Sequence, residues 1–114
     1  MSAGNGVVTD HPENGRFEIA VEGELAGFAN YHPVGDNLDF THTEIDDRFE
    51  GQGLGSTLIR AALEAARTRG MGVLPHCRFV RSFIERHAEF LDLVPPLRRR
   101  QFGLEPPLQS GPEQ

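Results

Sequence analysis

With 114 residues, 38% of them apolar and eight of them Phe, the chain holds one domain, large enough to build a core without metals or disulfides. A net charge of −6 excludes nucleic acid and anionic membrane as main partners, since both ask for a basic surface. The single cysteine excludes an internal disulfide and fits a reducing compartment, so a cytoplasmic location is expected. No apolar run approaches membrane-spanning length, and the first residues carry no apolar leader.

Residues 1–15 are polar and Gly-rich and are expected to form a flexible lead-in. Arg16 to Glu22 alternates, with Phe17, Ile19 and Val21 on one face, which predicts a half-buried strand. Gly23-Glu24 reads as a two-residue turn. Leu25 to Tyr31 returns as a second strand, and His32 to Asn37 is a turn cluster. Leu38 to Ile45 is the third strand, with Leu38, Phe40, His42 and Glu44 sharing a face opposite Asp39, Thr41, Thr43 and Ile45. Three strands on short connections make an antiparallel meander.

Gly51, Gly53 and Gly55 follow at alternate positions and open an amphipathic helix over residues 54–69. Leu54, Leu58, Ala62 and Ala65 lie along its inner side with Ile59, Leu63 and Ala66 beside them, and Gly70 ends it. Glycines between a strand and a helix allow close backbone approach and leave the first helical N–H groups to an anion, so a phosphate-bearing ligand is expected. Met71 to Cys77 is a short fourth strand. Phe79 to His87 is a second helix with Phe79, Phe83 and Ile84 inside, after which Leu91, Leu93 and Val94 close the core. Residues 96–114, rich in Pro and Arg, are expected to be an extended tail.

The crossover from strand three through the helix to strand four makes those two strands parallel. The fold class is therefore α/β of the α+β type: a mixed sheet of three antiparallel strands plus one parallel strand, with two main helices. The topology puts the glycine loop and the C-terminal ends of both strands, with His42 and Cys77, on the sheet edge where ligands sit in such folds.

These residues resemble the GCN5-related N-acetyltransferase superfamily, in its small single-domain branch. The matching features are EGQGLG at Glu50 to Gly55, the His42-Thr43 pair before it, Cys77 ending the next strand, and the aromatic-rich segment from Phe79 to Pro95. The likeness covers residues 16–95, which it implies to be a minimal acetyltransferase domain. It implies acetyl-coenzyme A as cofactor, held by Ile45, Gly51, Gln52, Gly53, Leu54, Gly55, Ser56 and Cys77, with His42 and Cys77 as catalytic residues. The acceptor it implies is an amine on a small molecule, protein or peptide. One departure stands out: the first loop position, usually Arg or Gln in the family, is Glu50 here. A non-catalytic acyl-coenzyme A-binding module on the same fold is the alternative reading.

The chemistry implied is attack of an amine on a thioester, whose carbonyl is polarised by a backbone N–H where two parallel strands part. His42 is either the general base or a strand-end imidazole bonded to a neighbour. Cys77 is a nucleophile, a proton donor to the departing thiolate, or a buried small hydrophobe. No tyrosine follows Tyr31 to serve as the helix-borne acid of wider relatives. His76-Cys77 lacks the spacing of a zinc site, so no metal is expected. The acidic residues Asp36, Asp39, Glu44, Asp46, Asp47 and Glu50 are either a solvated face or an attraction for a cationic acceptor. Arg98 to Arg100 belong to the tail, within reach of a coenzyme phosphate only if it folds back.

Overall fold

Alternation of side chains between two faces builds the sheet in the computed structural model, which describes residues 6–104. Five strands lie in sequence order, β1 (Gly6–His11), β2 (Arg16–Val21), β3 (Glu24–Val34), β4 (Asn37–Ile45) and β5 (Gly72–Pro75). The first four are antiparallel neighbours and β4 pairs parallel with β5. Two α-helices complete the frame, α1 (Leu54–Thr68) between β4 and β5, and α2 (Arg78–Arg86) after β5.

The lead-in expectation is corrected by β1, so the meander has four strands and the parallel strand is the fifth. Its alternation is weak because Val7 is exposed while Val8 packs inward. The strand is nonetheless tied to the core's edge. Asp10 accepts a hydrogen bond from the Tyr31 hydroxyl at 2.7 Å and an ion pair from Arg69 at 2.6 Å. Residues 1–5 of the expected lead-in lie outside the described residues.

The hairpin between β2 and β3 turns at Glu22-Gly23, one residue earlier than expected, with both residues at positive φ (52° and 81°). That is the mirror-image turn whose twist suits a tight hairpin. β3 runs on through His32-Pro33-Val34, leaving only Gly35-Asp36 as the next turn. β5 is shorter than the run from Met71 to Cys77, and Cys77 instead caps the start of α2.

The largest correction concerns the faces of β4. Tyr31 pairs with Phe40 but Asn30 pairs with His42, so Thr41 is an extra residue, a β-bulge. Leu38 and Phe40 face the core. Beyond the bulge the alternation is reversed: Thr43, opposite buried Ala29, and Ile45, opposite Gly27, take the core side. His42 and Glu44 turn to the far side with Phe28.

α1 lies across the sheet with Leu54, Leu58, Ile59, Ala62, Leu63 and Ala66 buried, as its periodicity predicts, while Ala65, expected with them, is only partly buried at the edge of that face. It stops in a Schellman motif, with Gly70 at φ 70° and Met71 N–H donating to Ala66. In α2 the buried residues are Val80, Phe83 and Ile84, whereas Phe79 is 38% exposed, contrary to its expected inner position.

The tail expectation fails up to residue 104. Two short 3-10 turns, Pro96–Arg98 and Arg100–Phe102, carry buried Phe102 and Leu104 back onto the domain. The Phe102 ring meets His76 edge-on, with centroids 5.0 Å apart. The rest of that expectation, residues 105–114, lies outside the described residues.

Candidate functional site

The site begins where β4 and β5 part. Their pairing ends at Phe40↔Pro75, with one further bond from Cys77 N–H to the Phe40 carbonyl at 2.8 Å. β4 continues to Ile45 while the chain after Cys77 turns away into α2. The V-shaped opening leaves the edge of Thr41 to Ile45 without a strand on the β5 side.

Into this opening points the start of α1. Its N-cap is Gly53, at φ 74°, which has no side chain to occupy the first-turn amides. The first backbone bond back to it comes from Thr57 N–H at 3.2 Å. The N–H groups of Leu54, Gly55 and Ser56 are thus the orphan donors of a helix N-terminus, and no acidic residue stands in the first turn. Gly51 is also left-handed, at φ 84°, with open space where a Cβ would stand. A Cβ at Gly55 would run into the tip of the Phe79 ring, which would have to move to admit it. The loop between is held by Asp46, whose carboxylate accepts from Arg48 N–H at 2.9 Å. That backbone bond first, and the Arg48 side chain second, hold the Asp46 carboxyl below its ordinary value.

Two joined clefts occupy the opening. The first, about 290 Å³, is lined by Ile45, Gly51, Gly53, Leu54, Gly55 and Ser56, with Phe49, Glu50 and Phe79. The second, about 590 Å³, shares Ile45, Glu50 and Phe79 and adds Thr43, Glu44, Asp46 and Asp47. Thr43 and Glu44 stand on opposite faces of the sheet, so this cleft wraps around the free edge of β4.

Six of the residues expected at the cofactor, Ile45, Gly51, Gly53, Leu54, Gly55 and Ser56, therefore gather at one cleft, while Gln52 lies outside both linings. Cys77 also lines neither cleft. It is 7% exposed, behind Thr43, its Sγ 3.4 Å from Thr43 Oγ1. His42 is not brought to Cys77. Its ring is on the far face, 6.1 Å from the Phe28 ring, with Nε2 3.7 Å from Glu44, and its side chain is 56% exposed.

Three contributors escaped the sequence. Thr43, the residue in contact with the thiol, was half of the recognised His-Thr pair, but the bulge that turns it inward leaves no mark in composition. Phe49 and Phe79 form cleft walls; the partial exposure of Phe79 breaks the helical pattern that would have hidden it. Among the described residues no cluster of His, Cys, Asp or Glu could hold a metal ion. No helix among them is long and apolar enough to cross a membrane.

No curated protein matches the chain. Among solved structures, the solution structure of a GCN5-like protein from Staphylococcus aureus is similar, with a TM-score of 0.62 and 24% identity over 80% of this chain and 89% of that one. That likeness speaks for the fold. A family model described as GCN5-related N-acetyl-transferase matches residues 16–93, which include β2 to β5, both helices and every residue lining the two clefts. The chain therefore belongs to the GCN5-related N-acetyltransferases.

Proposed function

We propose that the protein transfers an acetyl group from acetyl-coenzyme A to an amine acceptor in the cytoplasm. The observation that carries this is the uncapped start of α1, opening into a cleft that runs to the parting of β4 and β5. The amides of Leu54, Gly55 and Ser56 would hold the coenzyme's diphosphate, since a helix start offers both donors and a favourable dipole to an anion. The joined cleft along Ile45 and Thr43 would take the extended arm and bring the thioester to the opening. There a β4 backbone N–H would polarise the thioester carbonyl, as donors preorganised at a developing oxyanion do.

The division of faces favours direct attack over an acetyl-enzyme. His42 is on the far side of β4 from Cys77 and cannot activate that thiol. It is placed to take a proton from an amine arriving at the open face. Cys77, with Thr43, lies on the helix side, where a departing thiolate would need a proton. The carboxylates along the second cleft, Glu44, Asp47 and Glu50, would favour a cationic acceptor such as a polyamine or a lysine-bearing peptide.

Calorimetry with coenzyme A tests binding, and thiol release from acetyl-coenzyme A with spermidine or a lysine peptide tests turnover. Cys77→Ala should bind coenzyme A as the parent does and turn over at least tenfold more slowly. An unchanged rate would return the thiol to a packing role. Binding without thiol release by the parent protein would favour the non-catalytic module, and no binding at millimolar coenzyme would remove both.

A further inference from the structure

The far face of the sheet carries an oriented imidazole that the proposal above leaves unused. Asp39 is the charged residue buried among those described, at 8% exposure. Its Oδ1 lies 2.7 Å from His76 Nδ1, and its Oδ2 lies 3.7 Å from His32 Nε2. A carboxylate removed from water is costly unless a donor meets it. A carboxylate oxygen accepts, so His76 Nδ1 donates this bond and Nε2 is the ring nitrogen left for a proton in transit. Phe102, edge-on at 5.0 Å, braces the ring. The His76 side chain remains 45% exposed, so a proton taken there can pass to water.

Its position gives the pair a task. His76 stands between Pro75, in the last β4–β5 pair, and Cys77, whose N–H makes the final bond to Phe40. His76 thus stands one residue past the last β4–β5 pair, where the strands part, with its ring turned back to Asp39 on the face opposite the Cys77 thiol. An orienting carboxylate, a fixed tautomer and a free second nitrogen are what a general base requires.

We propose that His76, oriented by Asp39, is a catalytic base that takes the proton from the acceptor nitrogen as it attacks the thioester. The inference rests on the acetyl-transfer reading. An ammonium acceptor and acetyl-coenzyme A yield an amide, coenzyme A and one proton. The C–N bond forms, the C–S bond breaks, and two protons leave nitrogen. One matches the proton gained by the departing sulfur, and the other goes to solvent. Of the imidazoles on the acceptor face, His42 and His76 carry this traffic. His42, farther along β4 and more exposed, deprotonates the entering ammonium, and His76 takes the second proton as the C–N bond forms.

The test uses the full chain with spermidine as acceptor. His76→Ala should bind coenzyme A with parental affinity and lose about 10²-fold in kcat with little change in KM for spermidine. Added imidazole should restore a substantial part of that rate. A merely structural role would not respond to imidazole, so absence of rescue overturns the proposal, as does a parental kcat. If the alanine variant does not fold, His76→Gln decides, because its amide still donates to Asp39 but cannot act as a base; parental kcat in that variant overturns the assignment. A parent protein that binds coenzyme A yet releases no thiol overturns the acetyl-transfer reading itself, and the base with it. That result is distinct from a turning-over parent whose His76 variants are unaffected.

Discussion

A carboxylate at position 50 lines both clefts, where a diphosphate would bring like charge. Magnitudes decide whether that forbids binding. A hydrogen bond to a charged group contributes about 1.5–3 kcal/mol, and three helix-start amides are available. One like charge about 4 Å away in water costs about 1 kcal/mol. On these magnitudes the proposed cradle would outweigh the repulsion, so that Glu50 would tune coenzyme affinity rather than abolish it. Glu50→Gln should tighten coenzyme A binding about fivefold at low salt, with the gain shrinking as salt is raised. Titrations at two ionic strengths check this, and weaker binding by the variant would mean that Glu50 contacts the ligand favourably.

Among the elements, β4 shows how far the sequence could be read. Strand, glycine loop and helix were legible because each has a local signature: a period of two, a run of alternate glycines, and a period near 3.6 closed by Gly70. The bulge at Thr41 was not, because an added strand residue obeys cross-strand pairing rather than local preference. With strict alternation His42 would face the core beside Leu38 and Phe40. With the bulge it faces out, and Thr43 and Ile45 line the clefts instead. Deleting Thr41 should remove the bulge yet leave His42 outward and Thr43 and Ile45 on the cleft side, because only the extra residue is lost and the pairs Asn30↔His42 and Ala29↔Thr43 are kept. Coenzyme A binding should then stay within a few-fold of the parent's. Affinity lost in a protein that retains its sheet by circular dichroism would show that the bend of the bulge, and not the facing of these residues, sets the site.

At the scale of the whole molecule, both ends of the described chain belong to the fold, although composition alone read them as loose. β1 was obscured by its exposed Val7, and the C-terminal turns by prolines and arginines around Phe102 and Leu104. Long-range contacts fix both, and such contacts leave no periodic trace. β1 is anchored through Tyr31, Asp10 and Arg69. Burial first, and the bond to Asp10 second, push the Tyr31 phenol above its ordinary value of 10.0, with Arg69 pulling the other way. A group that holds its proton more tightly when folded stabilises fully below its unfolded pKa, and that stabilisation is lost as pH rises through the folded value. Tyr31→Phe should cost about 1–2 kcal/mol at neutral pH. Above about pH 10 the parent's Tm should fall toward that of the variant. Melting curves that stay parallel through that range would remove Tyr31 from the anchor.

Whether the first amides of α1 hold the coenzyme's diphosphate is read directly by a titration of isotope-labelled protein with coenzyme A, followed by amide NMR. The largest shifts should fall on Leu54, Gly55 and Ser56, with smaller ones along Thr43 to Ile45, and should vanish in Gly53→Asp. Shifts confined to other surfaces, or unchanged by that substitution, would contradict that mode of binding.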